Sequence, residues 1–239
     1  MSVTRIRAIF RKELREYRRN RTIVITMAIV PLVFLIEPLV QIFNLPAASA
    51  GTLLHKHPLL YMLGIPALVP SLIAAASVVG ERQQGTLEPV LTTPIRREEF
   101  ILGKALAVLA PALAVSYVVF GLAVASIEVF AQAPVASAVV RGPDLLAQVL
   151  FTPLVATWSI WISMAISAGT SDFRVAQQLS TLASLPTVIV VALISFDVIR
   201  ATLGLAIGLA AALLLLDRLG WRVVSALFDR ERLITGTRS

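Results

Sequence analysis

Residues 59–79 read LLYMLGIPALVPSLIAAASVV, an apolar stretch in which no side chain carries a charge. The hydrocarbon core of a bilayer is about 30 Å thick, and a helix needs roughly 20 predominantly apolar residues to cross it. The stretch is therefore long enough and apolar enough to form a membrane-spanning helix.

Five more windows of this kind occupy most of the remaining chain. They are Ile23–Phe43, Ala105–Ile127, Leu145–Ala168, Leu179–Phe196 and Val198–Leu216. Strands of a membrane barrel are about half as long and alternate polar with apolar residues, so helices are favoured. The sequence thus predicts an all-α polytopic membrane protein with six transmembrane helices, in a transmembrane domain over residues 22–219. We expect prolines in or near the spans to kink or interrupt them, namely Pro31, Pro66, Pro70, Pro111, Pro153 and Pro186.

The composition supports this class and excludes several others. Of the 239 residues, 57% are hydrophobic and only 15% are charged, against about 25% charged in soluble domains. The absence of cysteine excludes a disulfide framework, a thiolate metal site and a cysteine nucleophile. His55 and His57 share one short loop that lacks carboxylates, so no metal site is expected there.

The basic residues predict the orientation of the spans. With the N-terminus inside, only Lys56, Arg141 and Arg200 fall in outer segments, which leaves 18 of the 21 lysines and arginines inside. Positive charge concentrates on the cytoplasmic side of membrane proteins. We therefore expect a multi-pass protein of the cell membrane with both termini in the cytoplasm. The net charge of +7 borders apolar spans, which indicates an anionic lipid bilayer rather than nucleic acid as partner.

Residues 1–21 have the pattern of an amphipathic helix. Apolar side chains recur every three or four positions, at Val3, Ile6, Phe10, Leu14 and Tyr17. Such a helix lies along the inner membrane surface, and a simple topogenic anchor is the alternative. Residues 220–239 are expected to form a basic cytoplasmic tail.

The polar segment 80–104 joins spans two and three and reads GERQQGTLEPVLTTPIRREEFILGK. Leu87, Val90 and Leu91 fall on one side of a short helix that ends before Thr93 and Pro94. We expect Thr93 to cap the next helix, with Pro94 at its first position. From the residues alone, an ordinary polar loop resting on lipid headgroups remains an alternative.

This segment resembles the signature loop of the type-2 ATP-binding-cassette (ABC) exporter permeases. The resemblance lies in Gly80-Glu81-Arg82, Gly85-Thr86-Leu87-Glu88, Leu91, Thr93-Pro94 and Leu102-Gly103-Lys104. It implies a coupling helix between spans two and three that docks in a cleft of a separate cytoplasmic ATPase subunit. The residues it assigns to that contact are Glu81, Arg82, Gly85, Thr86, Leu87, Glu88, Leu91, Thr93 and Pro94. We call residues 80–104 the coupling loop.

The same resemblance implies the partners and the cofactors. A second permease subunit, identical or not, is expected to complete the pathway. ATP and Mg²⁺ are expected on the ATPase, and no cofactor on this chain. Gly103-Lys104 is followed by Ala105, and no glycine lies five residues before Gly103, so the sequence lacks a P-loop. We expect a transport subunit without a catalytic site.

Two further pairs of residues are candidates for function. The inner loop 169–178 carries Asp172 and Arg174, either as a second ATPase contact or as a helix cap and a topology determinant. Glu37 and Gln41 lie near the outer end of span one, where an ionisable residue is costly. They either line the pathway or reach the outer interface.

Two other classes of protein share such a set of spans. An ion-coupled secondary transporter usually shows internal repeats and several intramembrane charges. In the predicted spans Glu37 is the one clear ionisable residue. A non-transporting membrane assembly factor is the other alternative. Co-purification of an ATPase separates the ABC exporter from both.

Overall fold

The computed structural model describes residues 2–44, 50–53, 56–83 and 96–228, and these residues are helical apart from short connections. Among them no β-strand occurs. The helices are α1 (Val3–Arg19), α2 (Arg21–Phe43), α3 (Ala50–Leu53), α4 (Gly64–Ala74), α5 (Ala76–Gln83), α6 (Arg97–Phe130), α7 (Ala133–Val139), α8 (Gly142–Gly169), α9 (Phe173–Ser195) and α10 (Leu203–Leu227). A 3₁₀ helix, Pro58–Leu63, precedes α4. The all-α fold class is confirmed.

Within the described residues, six helical segments are long and apolar enough to cross a membrane, as the sequence predicts. Span one is Ile23–Phe43 and span two runs Pro58–Glu81 through the 3₁₀ helix, α4 and α5. Spans three to six are α6, α8, α9 and α10. The protein is therefore a multi-pass membrane protein.

The predicted bounds of the sixth span are wrong. The helix begins at Leu203 rather than Val198, because the Thr202 hydroxyl caps it by accepting a hydrogen bond from the Leu205 N–H at 3.2 Å. It continues past Asp217 to Leu227, so its last turns include residues that we assigned to the tail. The apolar window ended at the first charges, but charges near a membrane surface do not end a helix.

Prolines within the helices do not interrupt the spans, which corrects that part of the expectation, and the kinks stay a prediction. Helices continue through Pro31, Pro70, Pro111, Pro153 and Pro186. The one interruption within the helical part of span two lies at Ala75, between α4 and α5.

Span two forms the centre of the bundle and packs against α8 and α9. Leu59, Met62, Ile65 and Ile73 are at most 1% exposed. By contrast, α10 exposes nearly its whole length and buries Val224. Its last turns pack on the core through an edge-to-face pair of Trp161 and Trp221, whose ring centroids are 5.5 Å apart.

Helix α1 lies across the start of α6, at one end of the bundle, which we call the α1 end. Gly103 makes this contact possible. A β-carbon added at Gly103 would lie 2.7 Å from Cγ2 and 2.8 Å from Cβ of Ile9. Ile9 and Tyr17 are buried in this contact, with 8% and 7% exposure. The side of α1 that carries Ile9, Glu13 and Tyr17 is thus buried against protein, whereas Val3 at its start is exposed.

We predict that Gly103→Ala lowers stability, because the added methyl forces α1 away from α6 at a cost of about 1–3 kcal/mol. Thermal unfolding of the purified protein in detergent measures the effect. Gly121→Ala is the matched control on the same helix, since no atom lies within 4 Å of the added carbon. The control gains up to about 1 kcal/mol of helix propensity. Equal melting temperatures for the two variants would contradict the close approach.

Candidate functional site

Lys104 is a fully buried cation at the α1 end. It follows the coupling loop's polar part directly, and its side chain is 0% exposed. The Nζ atom donates to Glu13 Oε1 at 2.9 Å and lies 3.2 Å from Glu81 Oε1. It also lies 5.0 Å from the centre of the Phe100 ring. A buried charge is tolerated only when it is paired and hydrogen-bonded, and these two carboxylates supply the pairing.

Lys12 completes the set. Its Nζ atom donates to Glu81 Oε1 at 2.8 Å and lies 3.7 Å from Glu13 Oε1. Partial burial lowers the pKa of Lys12, but the hydrogen bond and the charge of Glu81 outweigh it and raise this pKa to about 12. Lys12 therefore stays protonated, and two cations balance two carboxylates. We call Lys12, Glu13, Glu81 and Lys104 the basal ion cluster.

Tyr17 occupies the remaining oxygen of Glu13. Its hydroxyl donates to Glu13 Oε2 at 3.1 Å. Burial first, and the negative charge of Glu13 second, raise the pKa of Tyr17 well above its usual value. The hydroxyl thus keeps its proton, and both oxygens of Glu13 have a partner.

Glu99 forms a second connection between α1 and α6. One of its oxygens accepts the Ser2 backbone N–H at 2.6 Å. The other accepts the Arg96 N–H at 3.1 Å and lies 3.5 Å from Arg5 Nη1. Glu99 therefore caps α6, which begins at Arg97. The helix that carries Glu98 and Glu99 begins at Arg97 rather than at the expected Pro94, and a glutamate in its first turn supplies a cap. Thr93 and Pro94 themselves lie outside the described residues.

The basal ion cluster joins three parts of the chain. Glu81 stands near the last described residue before positions 84–95, and Lys104 stands after them. Their side chains meet at 3.2 Å. Both then bind α1 through Glu13 and Lys12. The two ends of the coupling loop are therefore tied to each other and to the amphipathic helix.

Glu81 is the one predicted coupling residue whose side chain the structure describes. It is 5% exposed and pairs with lysines of its own chain, so its carboxylate differs from the expected partner-facing charge. The side chain of Arg82 lies outside the described residues. So do the other predicted coupling residues, Gly85, Thr86, Leu87, Glu88, Leu91, Thr93 and Pro94. Their roles stay predictions.

The second inner loop shows the helix cap that we considered. Asp172 Oδ1 accepts the backbone N–H groups of Arg174 and Val175 at 2.7 and 3.1 Å. The Arg174 side chain is exposed. Ala176, one turn into α9, packs against Ala75 and Val79 of span two. The loop therefore lies beside α5, at the α1 end.

Glu37 and Gln41 contact each other on α2. The Gln41 amide Nε2 donates to Glu37 Oε1. Glu37 Oε2 is buried and has no hydrogen-bond partner among the described residues. Both side chains are half-buried, and their role in the pathway stays a prediction.

A polar cluster also fastens the opposite end of the bundle. His57 Nδ1 lies 2.7 Å from Asp144 Oδ1, and Arg141 donates to Asp144 Oδ2 at 3.1 Å and to the Lys56 carbonyl at 2.6 Å. The Ser195 hydroxyl donates to the His57 carbonyl at 3.1 Å. Asp144 thus brings to His57 a carboxylate from α8 that its own loop lacks. Even so, no group of three potential metal ligands occurs in the described part of the chain.

A pattern in the sequence of α1 could have predicted the basal ion cluster. Ile9, Glu13 and Tyr17 are four residues apart and lie on the buried face of α1. A carboxylate on the apolar face of an amphipathic helix predicts a buried cationic partner. The Gly103-Lys104 pair, at the apolar start of span three, is the matching signal.

Comparison with known proteins identifies the family. No curated protein matches the chain. The family model described as "ABC-2 family transporter protein" matches residues 7–221, which include most of α1, the coupling loop and nearly all of the six spans. The chain therefore belongs to the ABC-2 transporter family, and it is a membrane permease component of an ABC transporter.

Proposed function

We propose that this chain exports a substrate across the cell membrane with energy from a separate ATPase subunit. The coupling loop docks in a cleft of that subunit through Leu87, Leu91 and the polar residues around them. ATP and Mg²⁺ bind to the partner and not to this chain. The family supports the permease role, and the direction of transport rests on the resemblance of the loop to the exporter signature.

The buried pair of Glu81 and Lys104 carries the proposal. Glu81 and Lys104 stand on either side of residues 82–103, and their side chains lie 3.2 Å apart. A segment whose ends are joined by a buried ion pair cannot absorb a push by spreading at its base. Displacement of its tip by a partner is therefore transmitted to α5, to α6 and, through Glu13, to α1.

Charge supports the proposal that the α1 end faces the cytoplasm. The last turn of α1 carries Arg18 and Arg19, and Arg174 is exposed beside α5. Basic residues favour the cytoplasmic side. On this orientation the exposed loop at Asp172 and Arg174 is a second contact to the ATPase, next to the base of the coupling loop.

A second permease subunit completes the pathway on this proposal. Large apolar side chains along α2, α9 and α10 are exposed in the single chain, among them Ile29, Leu182 and Ile207. Gly204 and Gly208 lie one turn apart on α10, with no atom within 4 Å of an added β-carbon. Such positions allow close helix contact. Glu37 and Gln41 line the pathway at the opposite end from α1.

We predict that the double variant Leu87→Asp/Leu91→Asp loses the ATPase. Two carboxylates on the apolar side of the docking helix weaken binding at least about tenfold, because each loses hydration on docking. Co-purification of the ATPase from solubilised membranes measures this, and ATP hydrolysis stimulated through the permease is lost as well. Thr92→Asp is the control, since it adds a carboxylate on the other side of the same helix. Retention of the ATPase by the double variant, in normal amounts, would contradict the docking role.

We predict that Lys104→Met destabilises the protein by about 3–5 kcal/mol, because it leaves buried carboxylates without their central cation. Lys12→Met is the control from the same cluster. Lys12 is 43% exposed, so its loss costs at most about 1 kcal/mol. Thermal unfolding in detergent compares the two. The double variant Lys104→Met/Glu13→Met recovers part of the loss, since Glu81 keeps Lys12. A loss no larger for Lys104→Met than for Lys12→Met would rule out the buried ion pair.

The absence of cysteine allows a direct test of orientation. Arg174→Cys and Arg200→Cys place single thiols at two exposed positions, in the first turn of α9 at the α1 end and in the connection before α10 at the opposite end. On intact cells, a membrane-impermeant maleimide labels Arg200→Cys and spares Arg174→Cys. Detergent permeabilisation serves as the control, because both thiols then react. The reverse pattern would place the coupling loop outside and end the proposal.

A further inference from the structure

The helix of span two is interrupted where it leads into the coupling loop. Helix α4 ends at Ala74 and α5 begins at Ala76. Ala75, between them, keeps helical dihedral angles of φ −56° and ψ −31°. The helix is therefore interrupted in its hydrogen bonding without a large change in backbone conformation.

A serine from span four occupies the missing bond. In a continuous α-helix the Val79 N–H donates to the carbonyl four residues earlier, which is that of Ala75. Here the Val79 N–H donates to Ser167 Oγ at 3.2 Å, and the same hydroxyl donates to the Ala75 carbonyl at 2.8 Å. Insertion of a side chain into this ladder is a recognised cause of helix bending.

The Ser167 hydroxyl lies in surroundings where water cannot serve as the hydrogen-bond partner of the Val79 N–H and the Ala75 carbonyl. Ala75, Val79 and Ser167 are all 0% exposed, so solvent does not reach the interrupted bond. Ala176 and Phe173 pack against the same stretch of span two. The nearest proline in α4, Pro70, lies more than one helical turn before the interruption at Ala75. A buried backbone donor and acceptor need partners, and Ser167 provides both.

The continuous helix is an alternative with its own complete hydrogen bonding. If Ser167 withdraws, the Val79 N–H bonds the Ala75 carbonyl directly. The freed hydroxyl then donates to a carbonyl of its own helix. Thr152 and Thr157 on the same helix already do this, to the carbonyls of Gln148 and Pro153 at 2.5 and 2.7 Å. Both arrangements give a partner to the Val79 N–H, the Ala75 carbonyl and the Ser167 hydroxyl, as a two-state element requires.

We propose that Ser167 is a positioning residue that holds span two bent at Ala75, and that its withdrawal straightens the span during the transport cycle. The inference rests on the proposed function, because the bend matters through the coupling loop that α5 carries. Straightening swings α5 and redirects the loop that follows it. Helix α5 is roughly 12 Å long at 1.5 Å per residue, so a bend of roughly 20° moves its end by about 4 Å.

Spin labels measure this movement in the cysteine-free chain. Labels at Gln83→Cys and Arg218→Cys mark the end of α5 and an exposed position on the second half of α10, towards the α1 end, and pulsed electron resonance gives the distance between them. Ser167→Ala removes the inserted hydroxyl, so we expect this distance to shift by up to about 4 Å in the purified chain. Ser163→Ala is the matched control. Ser163 lies one turn away on the same helix, is 0% exposed, and its hydroxyl has no partner among the residues described.

The same labels test the functional role in the complex with the ATPase. We expect trapping with ADP and vanadate to move the wild-type distance towards the value of Ser167→Ala. The Ser167→Ala complex should not move further. Ser167→Thr keeps the hydroxyl and should restore the wild-type distance, which separates the switch from a general loss of packing.

Three results would overturn the inference. An unchanged distance in Ser167→Ala would show that the serine does not hold span two bent. An equal shift in Ser163→Ala removes its specificity. A shifted Ser167→Ala that still responds fully to vanadate trapping removes its role in transport. Failure of the proposed function is seen separately, as a wild-type chain that binds no ATPase while the distances in the isolated chain follow the prediction.

Discussion

Lys104 places a positive charge at a point in the bundle that no solvent reaches, and the structure around it is arranged to neutralise that charge. Glu13 approaches from α1 and Glu81 from the end of span two. A single charge left alone there would be far more costly than the pair is favourable. Burial of Lys104 therefore requires both carboxylates to be in place. The cluster forms only when span two, span three and α1 are correctly packed, and this packing fixes the base from which the coupling loop extends.

That constraint gives the amphipathic helix a role beyond anchoring. The sequence predicts α1 from its apolar repeat, and the membrane surface is the usual partner of such a face. In the structure Ile9 of α1 packs on Gly103, Glu13 binds Lys104, and Ser2 and Arg5 bind Glu99 at the start of span three. The helix therefore contacts the base of the coupling loop directly.

The fold was predictable from hydropathy, because an apolar window of bilayer length has few other stable structures. The residues at which the helices begin and end were less predictable. Thr202 and Glu99 cap their helices through particular hydrogen bonds, and Trp221 extends span six by packing on Trp161. Such features depend on neighbours in space. The basal ion cluster joins residues 91 positions apart in sequence, and the hydroxyl of Ser167 is indistinguishable in sequence from those of Ser159 and Ser163. Only the packing of α8 against span two selects it.

The polar cluster at the far end also constrains how these helices can move relative to one another. His57, Asp144 and Ser195 fasten the starts or ends of spans two, four and five to one another through short hydrogen bonds. Span two is held at its His57 end and interrupted near its other end, at Ala75. It therefore has little freedom to slide along its axis, and it responds to a sideways force mainly by pivoting about the His57 end. The part of span two that moves furthest is then the short segment beyond Ala75.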